Sequence, residues 1–141
     1  MTRVFLDASV LVAAAASPGG GSALLLELCR HRKIEPVVSR LVLLEAERNI
    51  RKKLPPSALS SYHRALEEAP FRVVPGPMEE ELRLYQAIIH EKDAPILAAA
   101  VAGRAVYLIT LDRRHFMTEK IRQAHLPLKI LTPKEFFQEY P

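Results

Sequence analysis

Cysteine is almost missing from this chain. Cys29 stands alone among 141 residues, so no intrachain disulfide can form, and a reducing compartment is the expectation. Tryptophan is absent and aromatic residues make up only 6% of the chain, which leaves no evident platform for stacking single-stranded bases. No apolar run approaches membrane-spanning length. The common nucleotide-binding loops are missing too. The run Gly19-Gly20-Gly21 lacks a Gly-Lys-Ser/Thr ending and follows no strand directly, so it reads as a turn. Asp7-Ala8-Ser9 stands where a dinucleotide fold would carry Gly-x-Gly-x-x-Gly. An aspartyl-nucleophile phosphatase would carry Asp-x-Asp there, and Ser9 holds the second place.

What is present is ordinary globular material: 49% hydrophobic and 26% charged, which excludes a disordered chain. The length predicts one domain over residues 1–141 with a real core. A net charge of +4 permits a polyanionic partner without requiring one.

The N-terminus imitates a secretory leader, with Arg3, an apolar stretch and then four alanines ending at Ala16. Asp7 interrupts the apolar part, and removing the segment would delete the best strand in the chain. The expectation is therefore a soluble, cytoplasmic protein in which this segment is part of the fold. Val4-Phe5-Leu6 is apolar without alternation, as suits a central parallel strand covered on both faces. Residues 8–16 then read as a helix. Ser17 to Gly21 breaks it, Ser22 is placed to cap a helix over residues 23–33, and Glu35-Pro36-Val37-Val38 reads as a second strand.

Ser39 begins a third helix, packed through Val42, Leu43, Ala46 and Ile50, which Pro55-Pro56 stops. Residues 57–69 form another helix with Leu59, Tyr62 and Leu66 as its stripe. A strand at 71–74 and a helix at 79–89 follow. Residues 94–102 are small or apolar apart from Pro95, with Asp93 at the N-cap position and Gly103 as terminator. A buried strand at 106–109, a helix at about 118–124, a strand at 128–131 and a helix at 134–139 close the chain. This alternation predicts a three-layer α/β/α sandwich around a five-stranded parallel sheet.

In such a fold each helix starts at the carboxyl edge of the sheet, where the ligand crevice lies. Asp7 and Asp112 follow their strands onto that edge, and Asp93 arrives there at the start of a helix. Glu45 lies further along its helix and must reach up to the rim. Crowded carboxylates repel one another, and a hard divalent cation relieves the repulsion. Oxygen donors with no neighbouring cysteine or paired histidine favour Mg²⁺ or Mn²⁺. Such an ion polarises a phosphoryl oxygen and activates water, so a basic protein with an acidic pocket points to phosphodiester hydrolysis.

Each residue has a plainer reading beside this one. Asp93 and Asp7 read equally as helix caps, and Asp112 as a turn aspartate opening the next helix. Glu45 reads as a solvated residue paired with Arg48 or Asn49. Ser9 and Thr110 read as ordinary helix-start and strand-end residues. What the plainer readings leave unexplained is why every capping acid falls on one edge.

Four stretches together resemble the PIN domain family, the nuclease fold of many VapC-type toxins. They are Phe5-Leu6-Asp7-Ala8-Ser9-Val10-Leu11, Glu45, the segment from Asp93-Ala94-Pro95 to Ala100, and the segment from Tyr107 through Thr110-Leu111-Asp112 to Phe116. The resemblance implies Mg²⁺- or Mn²⁺-dependent cleavage of RNA, a homodimer, and an antitoxin protein as partner. By it Asp7, Glu45, Asp93 and Asp112 form the acidic, metal-holding quartet, and Ser9 and Thr110 are the hydroxyls beside the metal. Many members carry a further acid after the fourth; here Arg113, Arg114 and His115 occupy that place. Arg113 and Arg114, with Arg48 and Arg51, are the expected phosphate contacts. The alternative is a PIN-like module that binds RNA or protein without cutting.

Overall fold

A computed structural model describes residues 1–140. Five strands form one parallel sheet: β1 (Arg3–Leu6), β2 (Glu35–Ser39), β3 (Arg72–Val74), β4 (Tyr107–Ile109) and β5 (Lys129–Leu131), in the order β3-β2-β1-β4-β5. Val4, Phe5 and Leu6 are fully buried in the centre. The chain reverses direction across the sheet between β1 and β4, which pair in the register Val4↔Tyr107, Phe5↔Leu108 and Leu6↔Ile109. Such a switch point leaves a crevice where two neighbouring strands send their connections to opposite faces.

Helices α1 (Ala8–Ala16), α2 (Gly21–Arg30), α3 (Arg40–Lys53) and α4 (Pro56–Glu68) pack against one another on one face, joined by the last helix α9 (Pro133–Glu139) against α2. Helices α5 (Glu79–Gln86), α6 (Ala94–Ala102), α7 (Arg113–Phe116) and α8 (Glu119–Gln123) lie in the connections that run back across the sheet to β4 and β5, and the right-handed rule for such crossovers assigns them to the other face. The sheet lies between them, the α/β/α arrangement read from the sequence. Among the described residues no single helix is long and apolar enough to cross a membrane.

Several local expectations give way. Helix α2 starts at Gly21 with Gly20 as N-cap, so Ser22 is inside the helix and buried instead of capping it. It ends at Arg30 because His31 takes the C-cap and Arg32 turns left-handed, with φ 56°. The single turn α7 was not foreseen; Asp112 creates it by accepting the backbone N–H of His115. Gly103 follows α6 as expected but for another reason. Its φ is −74°, within reach of any residue, and the left-handed position falls on Arg104 instead. A Cβ at Gly103 would come within 3.0 Å of both Val37 and Val74, so the glycine lets α6 seat against β2 and β3. Tyr62 is buried in α4 as expected, but its neighbours in the core are Ala58 and Ala65, with Leu59 and Leu66 only partly covered.

Candidate active site

Buried polar side chains are few, and their location marks the site. Asp7, Ser22, Ser39, Thr110 and Thr132 are the buried polar residues among those described. Ser39, Asp7, Thr110 and Thr132 each stand at or just beyond the carboxyl end of a strand. Three of them cap the helix that follows: Ser39 accepts from Val42 N, Thr132 from Glu135 N, and Asp7 from Ala8 N at 2.8 Å. Unpaired backbone N–H groups at helix starts require such acceptors.

Asp7 is the centre of this row, with only 8% of its surface exposed. Its Oδ2 accepts the hydroxyl of Thr110 at 2.7 Å and that of Ser9 at 3.0 Å. Both hydroxyls have a fixed direction. Leu111 N donates to Ser9 Oγ at 3.1 Å and Asp112 N donates to Thr110 Oγ1 at 3.0 Å, so each hydroxyl proton is committed to the carboxylate. The β4–α7 turn thus passes two backbone dipoles through two side chains onto one oxygen. Oδ1 accepts only Ala8 N, which leaves it a free lone pair.

Asp112 is tied down in a different way. Its Oδ1 accepts His115 N at 3.1 Å, and its Oδ2 lies 2.7 Å from His115 Nδ1. Asp93 occupies the N-cap place of α6 yet makes no capping hydrogen bond, its backbone being helical at φ −97° and ψ −12°. The capping alternative therefore holds for Asp7 and Asp112 and fails for Asp93. Ligand atoms of Asp93, Asp112 and His115 all lie within 4.8 Å of one another.

Electrostatics link these acids to Asp7 and Glu45. Burial pushes the Asp7 carboxyl above the ordinary aspartate value against its three hydrogen bonds, and Asp93 adds repulsion. Asp93 is pushed up by its own burial and by Asp112, with His115, His90 and Lys92 opposing. Glu45, half-buried on α3, is raised by burial and by the charges of Asp7 and Asp93, partly offset by Lys92 and Arg48. It forms no salt bridge with Arg48. The four acids foreseen from the sequence lie within electrostatic reach of one another at one rim, Asp7 joined to the β4 end through Ser9 and Thr110. The tight cluster of ligand atoms is that of Asp93, Asp112 and His115.

The four foreseen arginines do not act as a group. Arg113 pairs with Glu135 at 3.7 Å and faces the β5–α9 side. Arg114, the next residue, lines a recess on the α5 side with His115. Arg51 pairs with Glu47 at 3.8 Å, nearly two helical turns beyond Glu45. Arg48 is exposed and near enough to act on Glu45. The residues that sequence reasoning did not assign to the site are His115, which fixes Asp112, and His90, whose ring centroid lies 6.3 Å from that of His115. Only their closeness in number to Asp112 and Asp93 hinted at either.

A family profile for the PIN domain matches residues 3–114. The chain belongs to the PIN domain family. No curated protein sequence matches it significantly. Solved structures similar to it include VapBC2 from Rickettsia felis, bound to a DNA fragment from its promoter. That pair shares 18% identity at a TM-score of 0.61, covering 92% of this chain and 97% of that one. Mycobacterium tuberculosis VapC20, a toxin that cleaves the sarcin-ricin loop, has 14% identity and a TM-score of 0.59, covering 87% and 95%. DNA-bound VapBC from Salmonella typhimurium has 15% identity and a TM-score of 0.59, covering 94% and 99%. At these identities the likeness is one of fold.

Proposed function

We propose that this protein is an endoribonuclease dependent on Mg²⁺ or Mn²⁺, acting as the toxin of a toxin–antitoxin pair. The observation that carries the proposal is the meeting at one rim of four carboxylates from four separate segments, three of them raised by burial and by a neighbouring acid. A crowd of acids that its basic neighbours offset only in part fits a hard divalent cation. The donor set agrees: carboxylate oxygens dominate, and Cys29 is buried away from the rim with its thiol pushed up to about 12.

Asp7, Asp93, Asp112 and Glu45 would hold the ion. When bound, such an ion polarises a phosphoryl oxygen and makes water a better nucleophile. Asp7 offers the free lone pair of Oδ1 while Ser9 and Thr110 hold its other oxygen still. His115 fixes the orientation of Asp112, as outer partners of metal-binding carboxylates do. Glu45, half-buried on α3 within reach of the charges of Asp7 and Asp93, would hold the ion with them or orient the attacking water.

Partners of two further kinds follow from the same reading, an antitoxin protein and a second copy of the chain. The VapBC complexes from Rickettsia felis and Salmonella typhimurium support the first. The test of the activity is cleavage of a mixed RNA pool with Mn²⁺, with and without chelator, beside Asp7→Asn. The reading expects cutting that chelator abolishes and that Asp7→Asn lacks. An intact pool under every condition, with RNA still bound, would favour the non-cleaving module.

A further inference from the structure

We propose that a recess beside the acidic crevice seats the phosphate of a nucleotide flanking the one that is cut. This inference rests on the nuclease reading above and adds where the strand runs. The recess is walled by residues 86–90, Arg114, His115, Thr118 and Lys120, and its volume is about 300 Å³, small for a ligand site but ample for one phosphate. It opens one side chain away from the acids, because His115 forms part of its wall and touches Asp112 Oδ2 at 2.7 Å.

Its charge is of one sign. Arg114 and Lys120 are exposed, form no salt bridge among the described residues, and share the recess with no carboxylate. The cavities around α2 and β5 are different: Arg30 there pairs with Glu27, Arg113 with Glu135 and Lys129 with Glu139. Two cations held near one another without a counter-charge attract an anion.

His90 adds a donor whose direction is set by the backbone. The N–H of Lys92 donates to His90 Nδ1 at 3.1 Å, so in the neutral ring Nε2 must carry the proton. A donor there, with Arg114 and Lys120, gives the recess three N–H-bearing side chains and no carboxylate, and phosphate oxygens take such donors. An acidic protein segment could use the same donors. It would meet the carboxylates next door, whereas a nucleic-acid strand reaching the recess is the one those acids are placed to engage through their cation.

The test uses the full chain carrying Asp7→Asn, so that the probe survives, and a fluorescent mixed-sequence single-stranded RNA. Binding is followed by anisotropy against KCl concentration. Replacing both Arg114 and Lys120 by Ala should weaken binding. The log–log salt slope should become shallower by about 0.7 for each phosphate no longer neutralised. Arg114→Lys should restore most of the slope, and Arg122→Ala, which removes the pair with Glu119 and the hydrogen bond to the Met117 carbonyl but nothing in the recess, should leave it unchanged. Circular dichroism on each variant confirms folding.

An unchanged slope in the double variant would overturn the subsite, as would loss of poly-glutamate binding with RNA binding intact. Cleavage by the chain with Asp7 intact, measured in parallel, separates the two claims. If it cuts RNA while the double variant binds normally, only the subsite fails. If it neither binds nor cuts RNA, the nuclease reading fails and the subsite falls with it.

Discussion

At the scale of single residues, the site is built on a carboxylate that the fold keeps out of water and then compensates. Asp7 loses solvent on nearly every side, and three hydrogen bonds on two oxygens replace it. Thr110 is wholly buried and serves twice, donating to Asp7 and accepting from Asp112 N. Thr110→Val keeps the shape but leaves both partners short, and a buried polar group left unpaired costs about 1–3 kcal/mol. The expected outcome is a loss of that size in urea unfolding of the metal-free protein. Ser9→Ala should cost less, since Ser9 is only partly buried and Thr110 remains on the same oxygen. Asp7 was legible in the sequence because a carboxylate closing a buried apolar strand is costly unless something binds it, and Asp93 and Asp112 because strand and helix alternation puts them on the same edge. Glu45, inside a helix, was legible only through the family resemblance. His115 was not, because a histidine three residues after an aspartate is commonplace on any exposed turn.

At the scale of elements, two short contacts position the rim. Helix α6 delivers Asp93 while its far end seats against β2 and β3, where a Cβ on Gly103 would crowd Val37 and Val74 at 3.0 Å. Gly103→Ala should therefore destabilise by about 1–3 kcal/mol, the range for overpacking, measurable as a lowered denaturation midpoint with the slope unchanged. At the same end of the sheet, where Arg3 also donates to the Gly103 carbonyl at 3.3 Å, Glu35 joins three strands, with Arg72 Nε at 2.6 Å and Arg3 Nε at 3.5 Å. The hydrogen bond from Arg72, with help from Arg3, holds the Glu35 carboxyl below the ordinary glutamate value. The unfolded chain therefore takes up that proton first on acidification. The stabilisation is complete above the ordinary value and is lost as pH falls through the lowered one. Glu35→Gln should flatten this part of the acid limb, read as Tm between roughly pH 6 and pH 3.

The strands and most helices could be read from apolar runs and breakers, because burial on both faces leaves little room for ambiguity. Boundaries were read less well. The left-handed residues that end three connections are Arg32, Arg104 and His125, and none carries the glycine signal that marks such a position in a sequence. Helix α7 is four residues long and depends on one side-chain cap, so no periodicity could announce it.

At the scale of the whole molecule, the fold sorts charge. A chain with net charge +4 gathers Asp7, Glu45, Asp93 and Asp112 at the one place where β1 and β4 part company. Lys92 and Arg48 stand near enough to act on these acids. Such a distribution suits a polyanion held near a seated divalent ion, with affinity that falls as salt rises. Addition of Mn²⁺ should also raise the melting temperature by mass action, about 2.7 kcal/mol of stabilisation at a hundred times its dissociation constant. Asp7→Asn should lose that increment.

The most direct measurement is Mn²⁺ binding by the metal-free chain, followed as loss of the free-ion signal in electron paramagnetic resonance. Asp7→Asn, Asp93→Asn and Asp112→Asn should each weaken the same binding event by more than about tenfold, since even outer partners of a metal site have effects of that order. If the chain binds no Mn²⁺, or if these three variants leave its affinity unchanged, the acids do not form one cation site and the account is wrong.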